Sequence, residues 1–188
     1  MTRAALLVID LLEDFLRTWD APNRKRLVRA TSELIAMARE GDVPVVWVRQ
    51  EFEPDLSDAF LEVRHKRIPI TVRGTPGARV AAELDRRPAD RDLVKKRYSA
   101  FFGTPLDAVL EELGARIVVL AGVNTHACVR MTAIDAYQRD FEVIIARECV
   151  GSYDREHEAV TLRYLDGKIA SVLDNAQVRR RLQIGLTA

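Results

Sequence analysis

Apolar residues in this chain fall into two alternating patterns, and their order predicts the fold. Apolar-rich runs of strand length cover residues 4–9, 43–48, 93–95, 115–121, 141–146 and 168–172, the first of them unbroken. Such runs mark strands buried on both faces of a parallel sheet. Between them, apolar residues recur at helical spacing over 22–40, 104–113, 125–139, 154–165 and 174–182. Pro22 and the Thr104-Pro105 pair mark helix starts, and Gly41 and Gly114 mark helix ends. On the helix over 125–139, Ala127, Met131, Ile134 and Tyr137 form the expected packing stripe. Residues 77–84 suggest one more short helix and 53–75 an irregular excursion with at most short helices. Asp14, Phe15 and Trp19 are expected in a loop walling a pocket, and residues 148–152 in the exit loop of the fifth strand.

Alternation of this kind predicts an α/β fold of three layers, α/β/α, around a six-stranded, mainly parallel, doubly wound sheet. Ligands of such sheets bind at the carboxyl ends of the strands, where a switch in strand order would set the first and fourth strands side by side. A chain of 188 residues fits a single domain over 1–188.

Composition narrows the partners. Lys plus Arg number 29 against 28 Asp plus Glu, a net charge of +1, which argues against nucleic acid or an anionic membrane and for a small neutral substrate. Basic clusters at 64–67 and 179–181 lack interleaved aromatics and read as solvated faces. Two cysteines, without metal-ligand spacing, imply a reducing compartment. Asp10 interrupts the first apolar run, so that run is neither a signal-peptide core nor a membrane span, and a cytoplasmic protein is expected.

Chemistry concentrates where strands end. Cys128 follows the fourth strand and the turn at Gly122, in the expected first turn of a helix, where orphan N–H groups and the helix dipole would lower a thiol pKa. It is the candidate nucleophile; Cys149 reads as packing. Asp10 closes the first strand, and an acid there needs exposure, a cation or a chemical role. Lys95 and Lys96 end the third strand, and alternation lets one of them share a crevice with Asp10 without saying which. A carboxylate can take the thiol proton and pass it to a leaving amine while an ammonium orients it, the division of labour of amide cleavage. Backbone N–H groups of Asn124 and Cys128 are candidates for an oxyanion hole, and Phe15, Gln50 and Thr125 for substrate binding. His126 is two residues from Cys128 and cannot face it on a helix, while His65 and His157 read as surface or packing residues. Neither a metal site nor a cofactor is expected.

Three blocks, Val8-Ile9-Asp10 with Asp14-Phe15, Lys95 to Phe101, and Gly122 to Val129, together resemble the isochorismatase-like cysteine hydrolases, and residues 152–157 agree. The resemblance spans nearly the whole chain. It implies an Asp-Lys-Cys triad of Asp10, Lys95 and Cys128, with Lys96 facing away, and a cis peptide joining Val123 to Asn124. It also implies hydrolysis of an amide or ureido carbon–nitrogen bond, and a homo-oligomer. Where many members have glutamine after the aspartate, this chain has Leu12. The segment after Val48 lacks the ligands that mark metal-containing nicotinamidases and pyrazinamidases, which makes a small linear amide, ureido or carbamoyl compound the better expectation than nicotinamide.

Overall fold

A computed structural model describes residues 3–184. Its strands are β1 (Ala4–Ile9), β2 (Val45–Gln50), β3 (Arg91–Lys95), β4 (Ile117–Val123), β5 (Glu142–Gly151) and β6 (Ser171–Leu173). They form one six-stranded parallel sheet ordered β3-β2-β1-β4-β5-β6. The helices among the described residues are α1 (Glu13–Leu16), α2 (Ala21–Glu40), α3 (Leu61–Lys66), α4 (Leu106–Glu112), α5 (Arg130–Tyr137), α6 (Arg155–Leu165) and α7 (Asn175–Leu182). No helix among the described residues is long and apolar enough to cross a membrane.

Strand β1 shows why an apolar run is unbroken. Ala4, Leu6 and Val8 belong to a core shared with Leu34 and Ile35 of α2 and Val178 of α7. Ala5, Leu7 and Ile9 belong to a second core, shared with Leu110 of α4, Ala133 of α5 and Leu165 of α6. Each face of the strand therefore needs apolar side chains, and full burial of a Leu or Ile stabilises by roughly 1.5–3 kcal/mol. Helix starts follow from capping. Asp20 accepts from the Asn23 N–H at 3.0 Å ahead of Pro22, and Asp174 with Gln177 makes a reciprocal capping box on α7.

Four segments depart from the sequence expectations. Asp14 and Phe15 sit in the single turn of α1 rather than in a loop, anchored by the buried Leu16. Over 77–84 there is no helix beyond a 3-10 turn at Pro76–Ala78, because the Ala81 N–H donates to Leu11 and Val80 bridges Leu12. Residues 148–151 are not an exit loop but the end of β5, since β4 runs on to Val123 and, past a register shift at Leu120/Gly122, pairs with Val150 and Gly151. Thr125–Val129 is a turn of π-helix before α5, and the extra residue turns a different stripe inward. Val129, Thr132, Ala133 and Ala136 pack on the sheet, while Met131 and Tyr137 are 41% and 49% exposed.

The strand order brings the chemistry together. Ile9 lies opposite Val48 on one side and Gly122 on the other, and Gln50 lies opposite Lys95. The carboxyl ends of β1 to β4 thus meet at the switch point between β1 and β4. Gly122 makes this approach possible: its φ is +124°, and an added Cβ would come 1.8 Å from the Ile9 carbonyl oxygen. Gly122→Ala is expected to cost on the order of 3 kcal/mol or more in urea unfolding. Gly167→Ala, with φ +72° but open space around it, should cost about 1 kcal/mol. Equal losses at the two sites would contradict the close approach.

Candidate active site

Asp10, Lys95 and Cys128 are brought together, each at most 4% exposed. Asp10 leaves β1 with φ +54°, which turns its carboxylate back over the strand ends. Its Oδ1 accepts the Gln50 N–H at 2.7 Å, and its Oδ2 lies 2.7 Å from Lys95 Nζ. The Lys95 ammonium also donates to the Arg97 carbonyl at 3.0 Å and lies 3.4 Å from Cys128 Sγ. Three N–H bonds thus have three neighbours, which is what makes full burial of an ammonium tolerable. Lys96, one residue on, turns away to pair with Asp58 at 2.7 Å, so strand alternation gives the crevice to Lys95.

The thiol departs from expectation. Burial pushes the Cys128 thiol up to about 12; the Lys95 ammonium opposes this and the Asp10 carboxylate adds to it. A lowered pKa at a helix terminus was the expectation from spacing, but a sulfur with almost no solvent contact loses more from desolvation than that position supplies. Burial also works against the charge on Lys95, yet Asp10 and Cys128 outweigh it and hold the ammonium above the ordinary lysine range. A thiol with a raised pKa thus lies beside the Asp10–Lys95 pair.

The turn after β4 completes the site. The Asn124 carbonyl accepts the N–H groups of Ala127 at 3.0 Å and Val129 at 3.2 Å, which flank Cys128, and the Val123–Asn124 peptide is cis. Thr125 is fully buried and its hydroxyl has no partner among the described residues; it is not part of the cavity wall. The cavity itself, of about 630 Å³, opens onto Cys128 and Asn124, and Phe15 and Gln50 are among its lining residues. The Gln50 amide donates to the Thr71 hydroxyl at 3.3 Å, and the Thr71 N–H donates to Asp14 at 2.7 Å. Asp14 holds this corner because Gly77 leaves room: a Cβ there would come 2.2 Å from its carboxylate.

Other wall residues escaped the sequence reading. Phe60, Val63 and Ile70 come from the excursion over 53–75, whose weak periodicity gave no sign of them. Tyr98 lies in an aromatic-rich turn that could have flagged it. Met131, expected to pack, turns outward to line the cavity, and Ile134 lines it while also packing against the core. His126 lines it too and contacts Ser152 rather than Cys128, while His157 pairs with Asp154 and His65 is exposed on α3. No group of three or more His, Cys, Asp or Glu among the described residues could hold a metal ion.

Comparison with known proteins adds to the geometry. A family model for the isochorismatase domain matches residues 4–177. Maleamate amidohydrolase of Pseudomonas putida is 30% identical over 188 residues, covering 96% of this chain and 87% of that protein. An isochorismatase family protein from Desulfovibrio vulgaris superposes with a TM-score of 0.91 at 25% identity, covering 97% of this chain and 100% of that one. N-carbamoylsarcosine amidase from Thermoplasma acidophilum gives 0.78 at 28% identity, with 93% and 97% covered.

Lys95→Met keeps the volume but strands the Asp10 charge, and urea unfolding at neutral pH should show a loss of roughly 3–5 kcal/mol. Adding Asp10→Asn removes that charge and should restore most of the loss; a double variant as unstable as the single one would contradict the pairing.

Proposed function

The chain belongs to the isochorismatase family, a family of hydrolases, and on that premise we propose that it is a cysteine-dependent amidohydrolase acting on a small amide, ureido or carbamoyl compound. One observation carries the reading: Cys128 Sγ and the Asp10 carboxylate share the same buried ammonium, at 3.4 and 2.7 Å, on the floor of a cavity open to a small molecule.

Because the thiol is protonated at rest, attack needs a base at the moment it occurs. Asp10 Oδ2 is that base; Oδ1 is held by the Gln50 N–H, and Lys95 keeps the carboxylate in place. As sulfur bonds to the substrate carbonyl carbon, its proton passes to Asp10 and the carbonyl π electrons move to oxygen. The N–H groups of Asn124 and Cys128 receive that oxyanion. Collapse breaks the carbon–nitrogen bond, Asp10 returns the proton to nitrogen, and ammonia or an amine leaves a thioester on Cys128. Water then gives a proton to Asp10 and attacks the thioester. Collapse of this second intermediate expels the sulfur, which takes the proton back, and frees the acid.

The ammonium of Lys95 serves both halves of this cycle. It stabilises Asp10 as an anion before attack and offsets negative charge on sulfur while the thiol proton is in transit. The aromatic wall of Phe15, Phe60 and Tyr98 favours a second reading with the same chemistry, hydrolysis of an aromatic primary amide. A single domain over 1–188 and a cytoplasmic, homo-oligomeric enzyme belong to the same proposal; two free, buried thiols support its reducing setting.

An ammonia-release screen over linear ureas, carbamoyl amino acids and aromatic amides tests the reading. Turnover of at least one class is expected, with Cys128→Ser and Asp10→Asn each lowering kcat by on the order of 1000-fold or more. Turnover unchanged in Cys128→Ser would sink the mechanism.

A further inference from the structure

The cavity wall beside Cys128 carries groups for which the hydrolytic steps have no use. Balanced composition points to a neutral ligand, yet the charges lining the cavity are not balanced. Asp14, the acid on the wall, is already occupied by the Thr71 N–H at 2.7 Å and by Arg17 at 3.2 Å. Arg130 lines the same cavity with no ion-pair partner among the described residues, its guanidinium held 5.5 Å from the centre of the Tyr164 ring.

His126 stands four residues earlier, the spacing that puts two side chains side by side on a helical surface. Its backbone N–H donates to Ser152 Oγ at 3.4 Å, and its Nδ1 lies 2.9 Å from the same oxygen. Ser152 is 2% exposed, and its hydroxyl proton has no acceptor among the described residues other than Nδ1. The hydroxyl therefore donates to Nδ1, which leaves the ring proton on Nε2. Ser152 is itself fixed by its N–H to Glu158 at 3.0 Å, and the imidazole packs edge-on against Tyr153 at 5.2 Å. Burial lowers the His126 pKa from its ordinary value, with His157 acting the same way and Asp154 and Glu158 against it. His126 thus offers the cavity a donor, and Arg130 offers it a cation.

We propose that His126 and Arg130 are the specificity-determining pair of this site, binding a carboxylate at the non-reacting end of the substrate through Nε2–H and the guanidinium. The substrate class is then amides or carbamoyl compounds that also bear a carboxylate, with Ser152 positioning His126. This rests on the amidohydrolase reading for its chemistry, but the recognition is testable without turnover.

Iodoacetate and iodoacetamide have the same two-carbon frame and differ in carrying a carboxylate or an amide. Their alkylation rates at Cys128, measured at low salt and about pH 9 with the site identified by peptide mass spectrometry, give a ratio from which thiol protonation cancels. Arg130→Gln is expected to lower the iodoacetate-to-iodoacetamide ratio about fivefold, the discrimination that one partly exposed charge pair supplies. His126→Phe should lower it too, and Ser152→Ala part of the way. A ratio unmoved by either of the first two variants removes that residue from the pair, and no alkylation of Cys128 by either reagent overturns the proposal. Absence of ammonia release with the ratio shifts intact would instead strike the hydrolytic reading alone.

Discussion

A lysine ammonium taken wholly out of water is the costliest thing this fold does, and the arrangement around it follows from making that burial tolerable. Lys95 has no solvent contact, so its charge depends on Asp10 2.7 Å away, on the Arg97 carbonyl and on the sulfur of Cys128. Asp10 in turn reaches it only because β1 ends in a left-handed residue and β2 supplies the Gln50 N–H to one carboxylate oxygen. Parallel strands in the order β3-β2-β1-β4 are what put those groups at one end of the sheet. The ion pair and the sheet are thus one construction.

The same burial sets the state of the thiol. A sulfur exposed at a helix terminus would ionise readily, whereas burial beneath the cavity, beside a carboxylate, pushes the Cys128 thiol up to about 12. In the proposed reaction, holding the thiol beside its base would make the nucleophile conditional on a bound carbonyl. On that proposal the proton would move when the carbonyl oxygen can take up negative charge in the turn of Asn124 and Cys128. Gly122 links this turn to the core, since its lack of a Cβ lets β4 close on the end of β1.

Much of this was legible in the sequence because strand burial on two faces writes itself as unbroken apolar runs, and residues 4–9 match β1 to the residue. Asp10 stood out as an acid closing such a run, and Cys128 as a thiol just past the turn that follows another. Alternation left two lysines open, and the resemblance of the motif around Tyr98 singled out Lys95. The misreadings share a cause: each was decided by a partner distant along the chain. Helical character over 77–84 lost to backbone bonds with Leu11 and Leu12, the exit loop of β5 lost to pairing with the end of β4, and the stripe on α5 was rotated by the π-turn. The thiol environment is of the same kind, since desolvation at one atom depends on everything packed above it. Phe60, Val63 and Ile70 had no periodic signal, because the excursion that carries them packs as a small cluster of its own around Phe52.

Rapid-quench intact mass spectrometry, in the first turnover of whichever amide releases ammonia, examines the shared role of sulfur, acid and amine most directly. The account predicts a transient mass increase equal to the acyl group on Cys128, formed with the first equivalent of ammonia and strongly diminished when Asp10 is replaced by Asn. Ammonia released at full rate, with the protein mass unchanged at every time point, would contradict it.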